Sequence, residues 1–104
     1  MKLVALVILS VLMAFAAPAL ATVEEFIEAC LASSNLPPPI CECCAVNARE
    51  RLSPLAFEFL TATLQENEGK VEALRPELSP EEATQAGMFM AKTPGECAAQ
   101  IQGK

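Results

Sequence analysis

Five cysteines, at 30, 41, 43, 44 and 97, constrain this chain more than any other feature. Three fall within four residues and one stands far down the chain; a vicinal Cys43–Cys44 bridge is strained and Cys41 and Cys43 diverge around a helix, so neither local pair is expected. The count is odd, so at least one thiol stays unpaired in a monomer or links two chains. How the thiols are read depends on the compartment, and the N-terminus speaks to that. Met1-Lys2 carries one positive charge, and Leu3 to Phe15 is apolar except for Ser10. Pro18 ends the run, and Ala19-Leu20-Ala21 places small residues at −3 and −1 of a cleavage site. Residues 1–21 therefore read as a secretory signal peptide cut after Ala21. The run is shorter than the roughly 18–20 apolar residues that span a bilayer. Thr22 follows rather than Cys, so no lipid anchor is expected there. Exported, the cysteines read first as disulfides.

Removing the leader changes the composition. The whole chain is 53% hydrophobic. Residues 22–104 alone are about 45%, which is ordinary for a soluble domain. They form one small helical domain, of a size that often needs covalent staples. The net charge of −6 becomes −7 once Lys2 leaves. So acidic a chain repels nucleic acid and anionic lipid, and neither is an expected partner. There is no His and no Asp, which excludes Ser-His-Asp and Cys-His catalysis and His-ligated zinc.

The rest reads as helices punctuated by proline. Val23, Phe26, Ile27, Cys30 and Leu31 make one apolar stripe, with Thr22 as N-cap and glutamates on the other face. That helix ends near Ser33-Ser34-Asn35. Leu36-Pro37-Pro38-Pro39 must be extended, with Pro39 opening a second helix. Cys41, Cys44, Ala45, Ala48 and Leu52 share one face of it, and Cys43 points nearly opposite Cys41. Ser53-Pro54 starts a third helix, the most apolar, with Leu55, Phe59, Leu60, Thr63 and Leu64 on its face and Phe57 widening it. Asn67 or Gly69 suits its left-handed cap. Val71 to Leu74 fits one short turn. Ser79-Pro80-Glu81-Glu82 is a capping box opening a helix lined by Ala83, Ala86, Gly87 and Met90, with Phe89 beside them. Thr93-Pro94-Gly95-Glu96 repeats the pattern and opens a last helix with Cys97 and Ile101. Residues 102–104 should fray. No stretch has a period of two. The expected fold is all-α, a small disulfide-stapled bundle of four to six short helices.

In an antiparallel hairpin, Cys30 near the end of the first helix lies level with Cys41 near the start of the second. A Cys30–Cys41 bridge would contribute about 3 kcal/mol, and Cys97 would then pair with Cys43 or Cys44. The alternative set is Cys30–Cys43 with Cys41–Cys97. Two chemical readings compete with staples. Cys41-Glu42-Cys43-Cys44 holds a C-x-x-C at a helix start, where the dipole lowers a thiol pKa, as in thiol oxidoreductases. The three thiols could also hold copper or zinc, with Met88 and Met90 as further soft donors. Against redox catalysis, no strand precedes the motif. Against metal, an oxidising compartment consumes clustered thiols, and Met88 and Met90 point to different sides of a helix. Glu24, Glu25 and Glu28, like Glu66, Glu68 and Glu72, read as solvated helix faces. No cofactor is expected.

Phe26-x3-Cys30, Leu36-Pro37, Cys41-x-Cys43, Leu52-Ser53-Pro54, Leu78-Ser79-Pro80-Glu81-Glu82-Ala83, Phe89-Met90 and Cys97 form a pattern over nearly the whole exported chain. The pattern resembles small exported helical proteins of Gram-negative bacteria, a group with no assigned function. The resemblance implies that Cys30, Cys41, Cys43 and Cys97 are the paired set. It therefore implies Cys43–Cys97 beside Cys30–Cys41 and leaves Cys44 as the free thiol, through which two chains could link. In size and compartment the chain is also similar to the small acid-stress periplasmic chaperones, although those carry a single bridge. The expected role is non-enzymatic: a periplasmic or secreted protein that binds a protein partner or serves the envelope, and that does not enter the membrane once its leader is cut. Thiol redox or soft-metal binding through Cys41, Cys43 and Cys44 is the alternative.

Overall fold

A computed structural model describes residues 20–103. The expected leader thus lies outside the described residues except for Leu20 and Ala21, as does Lys104 of the tail. The elements in chain order are α1 (Val23–Ser33), α2 (Pro38–Arg51), α3 (Pro54–Leu64), α4 (Glu68–Leu74), a short 3-10 turn (Arg75–Glu77) and α5 (Pro80–Gln102). The fold is all-α and carries two disulfides, with no strand among the described residues. No helix among those residues is long and apolar enough to cross a membrane.

Local chemistry sets the helix ends. The Thr22 hydroxyl accepts the Glu25 N–H at 3.1 Å, and the Glu25 carboxylate accepts the Thr22 N–H at 3.2 Å. This reciprocal box satisfies two donors that a helix start leaves without intrahelical partners. Ser33 and Ser34 close α1 by donating their hydroxyls to the Ala29 and Cys30 carbonyls. Pro38 and Pro39 fill the first positions of α2, where a missing N–H costs nothing. Arg49 and Arg51 occupy its last turn, where the helix dipole favours cations. Ser53 and Ser79 cap α3 and α5 through side-chain oxygens.

The core lies where α1, α2, α3 and α5 meet. It contains few large aliphatic side chains. The largest fully buried residues are Phe26, Thr61, Cys41, Cys44 and Cys97. Phe26 stacks on Phe57 with ring centroids 5.6 Å apart, and the Arg49 guanidinium lies 5.8 Å from the Phe57 centroid. Sulfur and alanine fill much of the remaining interior, so helices approach closely and covalent bonds stand in for apolar mass.

Four sequence expectations need correction. Thr93-Pro94 does not start a helix: α5 runs through Pro94 to Gln102. Proline's φ is compatible with helix, and packing on α2 on both sides of Pro94 carries the helix past its lost backbone bond. The left-handed residue after α3 is Glu66, with φ 58°, rather than Asn67 or Gly69. Asn67 instead caps α4 by accepting the Lys70 N–H, which extends the expected turn at Val71–Leu74 back to Glu68. The buried face of α3 is turned by about one residue. Ala56, Phe57, Leu60 and Thr61 face inward, Thr63 is exposed, and Leu55 and Phe59 are half-buried. Finally, the inner stripes shift elsewhere. Ala29 replaces the exposed Leu31 in α1, and Thr93 and Cys97 join Ala86 and Phe89 in α5 while Ala83 and Gly87 face out.

Candidate functional site

The cysteines gather around the start of α2. Cys30, one turn before the end of α1, is bonded to Cys41 in the first turns of α2, with Cα atoms 5.8 Å apart. Cys43 is bonded to Cys97 of α5, with Cα atoms 6.0 Å apart. Cys44 is free and buried. Helical rotation explains the division. Three residues after Cys41, Cys44 returns to the inner face with Ala45 and Ala48. Cys43 is turned aside, toward α5.

The two bridges differ in surroundings. Cys30 and Cys41 are both buried, and the Ser34 hydroxyl lies 3.8 Å from the Cys30 sulfur. Cys43 is half-buried, and Asn47 covers its bridge. The Asn47 amide donates to the Cys43 carbonyl at 2.8 Å and lies 3.5 Å and 3.8 Å from the two bridge sulfurs. Cys44 belongs to the buried apolar cluster of the core, and burial pushes its thiol above the ordinary 9.0. It therefore stays protonated at neutral pH, the form that is neither nucleophile nor metal ligand. A link between two chains through Cys44 would require this face of α2 to leave the core.

Other members of the alternative readings are dispersed. Met88 is exposed on α5, with Met90 half-buried on another side. Among the described residues, no three His, Cys, Asp or Glu groups are placed to hold a metal ion.

Two carboxylates organise the rest: Glu58, which the sequence reading did not single out, and Glu82, which it placed in the capping box of α5 without its link to Ser53. Glu58 of α3 has a side chain only 9% exposed. Its Oε1 meets the Lys70 ammonium of α4 at 2.5 Å, and its Oε2 accepts the Ala21 N–H at 2.8 Å. Burial alone would raise its pKa. The Lys70 ammonium and the Ala21 N–H outweigh burial and hold the carboxyl below its ordinary value. The sequence signal was a lone charge between Phe57 and Phe59. Glu82 closes the capping box of α5 through Oε1, and its Oε2 also accepts the Ser53 hydroxyl at 2.6 Å. One carboxylate thus joins the starts of α3 and α5. The Ser53 bond, then the Ser79 N–H, lowers its pKa.

A cleft of about 170 Å³ opens beside Glu58, lined by Leu20, Ala21, Arg49, Leu52, Pro54 and Phe57. A shallower groove follows the second bridge, between Val46 of α2 and Ile101 of α5. Comparison with known proteins finds no matching family model, no similar curated protein and no similar solved structure.

Proposed function

We propose that the chain is an exported, non-enzymatic protein of a bacterial periplasm that works by binding a protein partner. The fate of the thiols supports this reading. Four are consumed in bridges between helices, which belong to an oxidising compartment, and the fifth is a buried neutral thiol. The cysteine chemistry is spent on holding helices together. What remains for function is an acidic surface with exposed apolar side chains, among them Val46 and Ile101 beside the second bridge.

The test uses tagged protein recovered from the periplasmic fraction. One thiol per chain should react, and only after denaturation. A defined protein should co-purify in stoichiometric amount, with the Cys44→Ser chain as well as the parent. Three reactive thiols, stoichiometric bound copper or zinc, or catalysed insulin reduction would overturn the reading.

A further inference from the structure

The leader contains two overlapping cleavage motifs. Ala19-Leu20-Ala21 directs cutting after Ala21, and Ala17-Pro18-Ala19 directs it after Ala19. Cutting after Leu20 would put a bulky residue at −1. The residues between the two sites are therefore the ones whose structural role decides.

Ala21 belongs to the fold. It is 6% exposed and sits against the core. Its N–H donates at 2.8 Å to the Glu58 carboxylate, whose other oxygen is held by Lys70. Glu58 stands between two aromatic residues of α3 and is the only buried glutamate among the described residues. Such a group is costly unless its lone pairs are met. Leu20 lies along the cleft formed by Arg49, Leu52, Pro54 and Phe57, although two-thirds of it remains exposed. Cutting after Ala21 would remove one of the two protein partners of Glu58 and uncover the edge of the core. Cutting after Ala19 keeps both residues.

The geometry points to Ala19–Leu20 as the processed bond, so that the mature chain begins at Leu20 and Leu20-Ala21 serves as a clip closing the cleft at Glu58. This rests on the proposal that the chain is exported. The step is a hydrolysis. Water adds across the Ala19–Leu20 amide, the carbonyl side leaves as the Ala19 carboxylate, and the nitrogen becomes the Leu20 α-ammonium with no transfer of electrons. The new cation lies one residue from the Glu58 contact, where it adds to the favourable charge that Lys70 already supplies.

Intact mass and N-terminal sequencing of the chain recovered from the periplasm separate the outcomes. Leu20 as first residue is expected. Thr22 or any later residue first would overturn this inference and leave export intact. Met1 first, with the leader uncut, would overturn the export reading itself. A second arm compares purified chains that begin at Leu20 and at Thr22. The longer chain should unfold at a higher urea midpoint, and Glu58→Gln should shrink the gap. Equal midpoints would remove the structural reason for retaining the clip.

Discussion

Removing the Cys43–Cys97 bridge should detach one end of one helix rather than loosen the protein evenly. The bridge closes a span of 54 residues, and Cys30–Cys41 a span of 11. Loop-closure entropy gives about 4 kcal/mol for the first and about 3 kcal/mol for the second. Replacing each pair by alanine also removes sulfur from the core. Cys30 and Cys41 are both buried, whereas of the other pair only Cys97 is. That difference narrows the gap, so total stability will separate the double variants poorly. Location will separate them well. Beyond Pro94 the only buried residue of α5 is Cys97. Pro94 donates no backbone bond to the turn before it, at a cost of about 3 kcal/mol in a helix interior. The Arg51–Glu96 pair that flanks this end is half-exposed on both sides and adds less than about 1 kcal/mol. In Cys43→Ala/Cys97→Ala, hydrogen exchange should show amides 97–102 losing protection while 84–93 keep theirs. In Cys30→Ala/Cys41→Ala, loss should fall on the end of α1 and the start of α2. Adding Pro94→Ala to the first variant should restore about 2 kcal/mol of the C-terminal protection, the helix gain less what the freer unfolded chain takes back. Uniform loss of protection in both double variants, or no response to Pro94→Ala, would refute the reasoning.

Acid should destabilise the protein through Glu58 and Glu82. Both folded-state pKa values lie below the ordinary 4.5, so their contribution is complete above that value and is lost as pH falls through the folded pKa. Urea unfolding at pH 7 and pH 3 should show a smaller acid loss in Glu58→Gln than in the parent; an equal loss would contradict the pairing. Ser53→Ala should cost about 1–2 kcal/mol and more than Ser79→Ala, since Ser53 both caps α3 and donates to Glu82. Equal costs in chemical denaturation would show the Glu82 link to be idle. Cys44→Ala should cost less than about 2 kcal/mol, whereas Cys44→Ser places a hydroxyl in an apolar site and should cost more. Phe57→Ala should cost about 3–5 kcal/mol by emptying the centre of the core, and a calorimetric loss below 1 kcal/mol would place the core elsewhere.

Helix number and helix starts were legible because they rest on local chemistry. A Ser before Pro offers a capping oxygen and a preset φ whatever the rest of the chain does, as at Ser53 and Ser79. The same logic misread Thr93-Pro94, where a local start signal met tertiary restraint. Cys97 anchors the far side and Phe89 the near side, so the helix is held across the proline. Which face turns inward was legible in α2, where Cys41, Cys44, Ala45 and Ala48 contrast with charged neighbours. It was not in α3, where apolar residues run nearly all round and Phe57 meets its partners, Phe26 and Arg49, from other helices. Cysteine pairing falls between these cases. Alignment of Cys30 with Cys41 follows from two helices reversed by a proline linker. The choice between Cys43 and Cys44 for Cys97 depends on the side from which α5 approaches, which no local pattern records. The tertiary partners of the carboxylates were hidden for a related reason. A glutamate in a helix looks solvated until a partner arrives from another element, as Lys70 and Ala21 do for Glu58 and Ser53 does for Glu82. A chain with so little aliphatic mass in its core relies on these long-range links, and they are what a sequence read one segment at a time reveals least.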